Sequence, residues 1–532
     1  MKIFHDPTTG FTLDYSSFKP LSCLDTIQSR YSHAIDRILD VIQRTEDGQV
    51  VNSTSVKSES ENRRVDHYNH RIKTPRGNDD FATRSLQSSL DYNEKVKSDV
   101  ATIINGGTTK EGQRFTDVVF NGIGGSFLGP LMLIVSQRGD NYNDGLPLRL
   151  HFVSNSDPDS FNVLLSHVQL ESTLCVHMSK SGSTAETAGN LEAFVSLLKQ
   201  RGLDYGSRNC AITTPNSPFD KTAQKQQFRF IWYMLEETGG RTSIVSAIGM
   251  VPAAFALMDF GAFLRGQSDM DDLTRKSALS ENPALLIALG IDYSSLLNGR
   301  KNMIVLGYSD FLKEWSHYLQ QLYMESLGKE YDIDGVPSPY GLSTFGGVVQ
   351  QVQKGIDDAF VRFVSFRRRS HDFANAKAGS MGRQLLGFLK GTQSALTKNG
   401  RDWMSIVLEQ RNEYAMGLLV ALEERIVSCL AALKRINAYD QPDGKLAAND
   451  FNRISAKIVQ VLASGKFQTG SAADFVEAHG EFVGSKCLAT VSAVLEDVSG
   501  NLKVANAYPE LSQVKSIDRQ WIDGDFVYSL VL

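Results

Sequence analysis

The chain has 532 residues, 42% of them hydrophobic and 22% charged, with a formal net charge of −5 at pH 7. That length exceeds what one hydrophobic core fills, so two domains or a large double α/β domain is expected. The mild acidity excludes the electrostatic footprint of a nucleic-acid or anionic-membrane binder, and no apolar run is long enough to span a bilayer.

The opening stretch, MKIFHDPTTGFTLDY, lacks the basic and apolar regions of a signal peptide. Five scattered cysteines (Cys23, Cys175, Cys210, Cys429 and Cys487) form no CxxC pair. This pattern fits reduced thiols in a cytoplasmic protein and argues against structural zinc. Residues 1 to about 100 read as helices around a polar insert. Leu24–Ile42 has helical periodicity, whereas Asn52–Ser89 is rich in Ser, Asn, Arg and Asp and reads as a surface excursion or an arm over a neighbour. Within it, His67 and His70, flanked by Arg63, Arg64 and Arg71, read as solvated charge rather than metal ligands, because no third ligand lies nearby.

From residue 115 the rhythm becomes strand, loop, helix. FTDVVFNGI is a strand leading into the loop GIGGSFLGP, with an apolar helix expected from Leu131. RLHFVSN (149–155), STLCVHMSK (172–180) and NCAITT (209–214) are further strands, and SGSTAETAGNLEAFVSLLKQ is helical by pattern. A second series starts at KNMIVLGY (301–308) and continues through AFVRFVSF (359–366) and DWMSIVLEQ (402–410). A long amphipathic helix, LEERIVSCLAALKRI (422–436), follows. Continuous apolar strands alternating with helices predict parallel sheets covered on both faces, with ligands at the carboxyl ends of the strands. The segment after Asn449 is mixed in pattern and reads as a tail.

Three loops have the composition of a binding site. Ser179-Lys180-Ser181-Gly182-Ser183-Thr184 lies between a strand and a helix. Hydroxyls, backbone amides and a cation would converge there on the positive end of a helix dipole, as a phosphomonoester requires. One or two of these hydroxyls would suffice as helix caps, so the surplus favours an anion site. Neither a Walker A loop nor the dinucleotide fingerprint is matched. Gly122-Ile123-Gly124-Gly125-Ser126 follows the first strand and fits either a tight turn or a backbone loop over a sugar. Gly239-Gly240-Arg241 places a guanidinium behind two glycines. Such an arginine makes a surface ion pair or, in a pocket, steadies a developing oxyanion.

Ser309–Glu330 is a helix by pattern, with Leu312, Trp315, Leu319, Leu322 and Tyr323 on one stripe, Ser309 as N-cap and Gly328 as stop. Glu314, Tyr318, Gln321 and Glu325 form a second stripe, either an ordinary solvated face or a rigid mount for a positioning group and a proton acceptor.

GIGGSFLGP, SKSGSTAET, GGRTSIVSAIG, QQLYMESLGKE and NAYDQPDGK occur in the order found in glucose-6-phosphate isomerases, and the chain resembles the bacterial and plastid-type branch of that family from about residue 110 to 450. The resemblance implies an α/β fold with two SIS-type domains, each a parallel sheet flanked by helices in three αβα layers. Helical N- and C-terminal extensions complete it, with boundaries expected at 1–100, 101–285, 286–448 and 449–532. It implies reversible aldose-ketose isomerisation of glucose 6-phosphate and fructose 6-phosphate through an enediolate, in a cytoplasmic homodimer, with no metal or organic cofactor. Carried over by motif, Ser179, Lys180, Ser181 and Thr184 would take the substrate phosphate. Gly124, Gly125, Ser126 and Gly240 would line the sugar, Gln321 and Arg241 would flank C1 and C2, Glu325 would shuttle the proton, and Lys445 would assist at the ring.

Two segments depart from the family pattern. Counting back from Gln350-Gln351 puts Gly346 where the family carries a ring-opening histidine, and Asp440 replaces another histidine in NAYDQPDGK, whose loop before Lys445 is shortened. No histidine occurs between His317 and His371, and both of these read as structural or solvent residues. Competing readings are a catalytically impaired phosphosugar-binding protein, an isomerase of a related hexose phosphate, and a weaker hydrolase reading through Ser179 and His177, for which no acidic partner is evident.

Overall fold

The computed structural model describes residues 2–57, 60–77, 80–347, 349–440, 446–483, 488–502, 508–522 and 525–531. The chain divides into residues 1–442 and residues 443–532. The larger unit begins with a hairpin, β1 (Ile3–His5) and β2 (Thr12–Asp14), where helices alone were expected. Alternating apolar residues such as Phe11 and Leu13, both fully buried, give this short stretch its strand character.

The first sheet comprises β3 (Asp117–Asn121), β4 (Arg149–Val153), β5 (Thr173–Met178), β6 (Asn209–Thr213) and β7 (Phe230–Tyr233) in the order β4-β3-β5-β6-β7, all parallel. Every residue of β3, β5 and β6 is buried, which explains their apolar centres, and the polar residues among them, His177 and Asn209 for instance, are hydrogen-bonded to one another. The second sheet has β8 (Asn302–Gly307), β9 (Ser343–Gly346), β10 (Ala359–Arg368) and β11 (Trp403–Gln410) parallel to one another, with the N-terminal hairpin added antiparallel to β11, in the order β1-β2-β11-β10-β8-β9.

The helix after β3, α1 (Gly125–Arg138), begins six residues before the expected Leu131 and carries Pro130 within it. A proline there forfeits one backbone hydrogen bond without ending the helix. Helix α2 (Ala185–Gln200) follows β5, α3 (Trp315–Leu327) follows β8, α4 (Met381–Lys398) lies between β10 and β11, and α5 (Glu413–Lys434) follows β11. Ser309 is extended, precedes a short 3-10 turn and makes no side-chain cap; α3 starts after Glu314 and stops at Gly328. Tyr318, expected on the polar stripe, is buried and stacks on Trp315.

Helix α5 is buried from Ala415 through Ala432, charged residues included. Its charges are matched: Arg425 donates to Asp271 at 2.8 Å and pairs with Glu46, Arg71 bonds Asp271 at 2.8 Å and Glu424 at 2.5 Å, and Arg362 meets Glu423 at 2.7 Å. Arg71 comes from the polar stretch expected at the surface. His67 and His70 are likewise buried, with His70 Nε2 2.9 Å from Asp66. The polar composition there serves buried ion pairs rather than solvent, a distinction that composition alone does not carry. Among the described residues no helix is long and apolar enough to cross a membrane.

The unit 443–532 contains helices Leu446–Ala463, Ala472–Val483 and Leu488–Asn501 and a three-stranded antiparallel sheet formed by Thr469–Ser471, Ser516–Ile522 and Asp525–Val531. Its own core gathers Ile458, Leu462, Phe475, Val494, Leu495 and Tyr528. The tail is therefore an α/β unit rather than a purely helical extension.

Candidate active site

Gln321 and Glu325 lie one turn apart on α3, and Gln321 Nε2 donates to Glu325 Oε1 at 3.1 Å. The apolar stripe of α3, Trp315, Leu319, Leu322 and Tyr323, is fully buried, so the helix holds its partly exposed acid rigidly. Arg241 approaches from the 3-10 segment Gly240–Val245 that follows β7. Its Nη1 donates to Glu325 Oε2 at 3.2 Å, its Nε to Ser326 Oγ at 2.8 Å, and its Nη2 to the carbonyls of Ala438 and Asp440, both at 2.7 Å. Arg241 is 5% exposed. Burial pulls its pKa below the usual value while Glu325 and Asp440 oppose the shift, but a guanidinium stays protonated throughout.

The glycine turns make this approach possible. Gly124 has φ +58°, and a Cβ there would sit 2.8 Å from Gln321 Nε2. A Cβ on Gly125 would fall 1.8 Å from the Gly240 carbonyl oxygen. The two glycine turns thus touch backbone to backbone, and Ser243 Oγ joins them by bonding the carbonyls of Gly240 at 2.6 Å and Gly125 at 3.4 Å. Ser126 is half-buried in the first turn of α1.

The hydroxyl loop closes the arc. Ser179, at the end of β5, is buried; its Oγ accepts from the Gly182 amide at 3.0 Å and lies 3.5 Å from Thr184 Oγ1. Thr184 is the N-cap residue of α2 but makes no side-chain cap, and Ser181 Oγ pairs with Ser183 Oγ at 2.7 Å. Lys180 reaches back to the Thr238 carbonyl at 3.4 Å, next to the Gly239-Gly240 turn. Burial, reinforced by Arg63, brings its pKa down to about 8 against the pull of Glu61, Asp66 and Glu236. Oxygens, an amide-rich helix start and a cation beside a carboxylate-arginine pair can hold a phosphoryl group at one end of a small molecule and move a proton at the other.

One residue in the site escaped the sequence reading. Lys329, immediately after the Gly328 stop, bonds Asp440 Oδ1 at 2.5 Å and the Asp440 carbonyl at 3.2 Å. Burial pushes Asp440 up and Lys329 down, each toward neutrality, against their mutual attraction. The motif MESLGK contained Lys329, and its position directly behind the acid was the available signal. Lys445 lies outside the described residues. Gly346 is exposed on β9, where a Cβ would meet Ser316 Oγ at 3.0 Å. Ser316 precedes Glu325 by nine residues, about 13 Å along the helix axis, so Gly346 sits beside the other end of α3. His317 pairs with Glu314 at 2.9 Å and His371 is exposed. His177 is fully buried between Asn121 Nδ2 at 2.8 Å and Asn209 Oδ1 at 2.7 Å, with its pKa pulled down to about 4 by burial. Both ring nitrogens are thereby occupied, leaving His177 unable to serve as a base for Ser179.

Two α/β sheets, with a hydroxyl loop at the carboxyl end of β5 and a helix-borne acid beside Gln321 against the Gly124 turn that follows β3, define a phosphosugar-isomerase (SIS) architecture. Residues 28–357 match the family described as phosphoglucose isomerase. The chain is 35% identical over 485 residues to the glucose-6-phosphate isomerase of Prochlorococcus marinus (strain NATL2A), covering 88% of each, and 34% identical over 427 residues to the chloroplastic glucose-6-phosphate isomerase 1 of Arabidopsis thaliana, covering 77% of this chain and 68% of that one. It superimposes on the crystal structure of a glucose-6-phosphate isomerase from Chlamydia trachomatis with TM-score 0.75 and 25% identity, over 85% of this chain and 89% of that one. The chain belongs to the phosphoglucose isomerase family.

Proposed function

We propose that this chain interconverts D-glucose 6-phosphate and D-fructose 6-phosphate through an enediolate, the step shared by glycolysis and gluconeogenesis, as a cytoplasmic homodimer. The observation that carries this reading is the placement of Glu325, held by Gln321 on one oxygen and Arg241 on the other. Glu325 takes the proton from C2 of the open-chain aldose and returns it to C1, while the hydroxyl proton at O2 is lost and one is gained at O1. One carboxylate performs both transfers because both carbons lie on one face of the planar enediolate. Arg241 supplies fixed positive charge to the developing oxyanion. Ser179, Lys180, Ser181 and Thr184 grip the phosphate, so that binding energy remote from the reacting carbons holds the flexible sugar in register. Gly124, Gly125, Ser126 and Gly240 line the sugar, and Lys445 acts at the ring.

Gly346 in place of the family's histidine favours a second reading, a phosphosugar binder with impaired turnover. A coupled assay from fructose 6-phosphate, run on the wild type beside Glu325→Gln, separates the two. The amide keeps size and hydrogen bonding but removes the base, and general-base help is worth about 10²–10⁴ in rate. Turnover that falls by that range with little change in KM supports isomerisation by Glu325. A wild type without turnover that still binds the sugar phosphate supports the second reading, and unchanged turnover in Glu325→Gln overturns the role of Glu325.

A further inference from the structure

At the carboxyl ends of β8, β10 and β11, a cleft of about 530 Å³ opens against α4. Its apolar floor is made by Phe311, Phe366, Leu385, Leu386 and Leu389. Around it stand Arg367, Arg368, Arg369, Lys390 and Arg411, and no Asp or Glu lines it. Three carboxylates lie close without entering: Glu409 is 2.7 Å from Arg368 and 3.6 Å from Arg367, Asp372 is near Arg369, and Glu413 is near Arg411. Five cationic side chains against three outlying acids leave a local excess of positive charge on a chain whose net charge is −5.

The cleft shares no lining residue with the Glu325 site and differs from it in chemistry. It occupies the crevice outside the carboxyl ends of parallel strands, where open α/β sheets bind ligands. Its volume is that of a small-molecule site. Phe311 carries the Arg411 guanidinium over its ring at 3.8 Å, and Arg411 is anchored by the Ser136 and Gln137 carbonyls. Arg367 and Arg368 are 50% and 72% exposed; Arg367 Nη2 donates to Thr12 Oγ1 at 3.1 Å and Arg368 Nε pairs with Glu409 at 2.7 Å, so it is their remaining N–H groups that face a ligand. Tyr308, on the cleft wall, donates to Thr392 Oγ1 at 3.0 Å.

We propose that this cleft is a second ligand site, selective for a phosphorylated small molecule with a flat apolar body, of the nucleoside mono- and diphosphate class. The arginines would take the phosphate through bidentate, charge-assisted bonds, and the leucine-phenylalanine floor would take the base. Neither part alone is as well matched: a bare phosphate leaves the floor exposed, and an uncharged base leaves the cations uncompensated.

The test is calorimetric titration of the full-length chain with ADP, with inorganic pyrophosphate and adenosine as separate arms. One saturable ADP site per chain is expected, undisturbed by saturating fructose 6-phosphate, with pyrophosphate and adenosine each weaker by about tenfold or more. Exchanging both Arg367 and Arg369 for Ala should weaken ADP about tenfold while leaving the melting temperature and fructose 6-phosphate turnover unchanged. Raising salt from 0.1 to 1 M, which shortens the Debye length from about 10 to about 3 Å, should weaken ADP as well. Absence of saturable ADP binding, ADP displacement by fructose 6-phosphate, or ADP binding indifferent to the double arginine exchange overturns the proposal. The titration reads binding, so its outcome is independent of whether Glu325 isomerises hexose phosphates.

Discussion

Arg241 and Lys329 converge on one acceptor, the backbone carbonyl of Asp440, at 2.7 and 3.2 Å. Lys329 also grips the Asp440 side chain at 2.5 Å, so a single residue fixes both cations. The pair sets the depth at which Arg241 presents its remaining nitrogen to Glu325.

Lys329→Met is therefore expected to act on Arg241 at a distance. Removing one partner of a largely buried pair costs about 3–5 kcal/mol in stability, and the freed Asp440 segment should let Arg241 drift. We expect kcat to fall more than KM rises, with Lys329→Arg restoring most of both. Steady-state kinetics with a thermal melt check this; an unchanged kcat in a folded Lys329→Met would show that the pair is only structural.

Gly124→Ala tests the turn beneath Gln321. The left-handed φ and the 2.8 Å approach to Gln321 Nε2 leave no room for a methyl group. Strain of about 1–3 kcal/mol is expected, and the displaced Gln321 should release Glu325. A crystal structure of the variant with the 3.1 Å Gln321–Glu325 bond intact would contradict this account.

The proposed phosphate loop predicts a pH dependence. Lys180 in the folded protein titrates at about 8, below the ordinary lysine value. As pH rises through that point the free enzyme loses the cation proposed to meet the phosphate, so kcat/KM should decline while kcat, which reports the substrate-bound form, declines at higher pH. The sign for stability is opposite. Between the folded and unfolded values the unfolded chain binds more protons, so this group's contribution to stability improves with rising pH. A Lys180→Arg profile flat through pH 8–9 would bear out the assignment.

The buried network around α5 predicts acid sensitivity. Burial pushes the Asp271 carboxyl up, but Arg425 and Arg71 outweigh it and hold the group well below the usual carboxylate range. A depressed folded value means stability that is present above the unfolded pKa, about 3.9, and lost as pH falls below it. Asp271→Asn should lower stability by about 3–5 kcal/mol at pH 7 and flatten the acid limb of the curve. Urea melts at pH 7 and at about pH 2.5 measure both.

The strands β3, β5, β6, β8, β10 and β11 were legible because each is a continuous apolar run set between helical stretches. Glu325 and Gln321 were legible through their four-residue spacing, and the hydroxyl loop through its composition. The short β7 (FIWY) carries too little pattern to stand out, and the N-terminal hairpin pairs with a strand far along the chain, information that local periodicity does not hold. Arg71, His67 and His70 misled because a polar stretch looks the same whether its charges face water or one another. Lys329 went unassigned because its partner Asp440 is distant in sequence, and the ion pair exists only once α3 and the end of α5 are packed.

The edge pairing of β2 on β11 also sets a timetable for synthesis. Leu13 pairs with Phe4 within the hairpin at once, but its other edge must wait for Ile406, roughly 390 residues later. At about 5–20 residues per second, that is roughly 20–80 s during which a nascent chain carries a hairpin with one unpaired edge. Slow translation or a stalled ribosome would prolong the exposure, so the yield of folded protein should depend on cellular chaperone capacity more than its final stability implies.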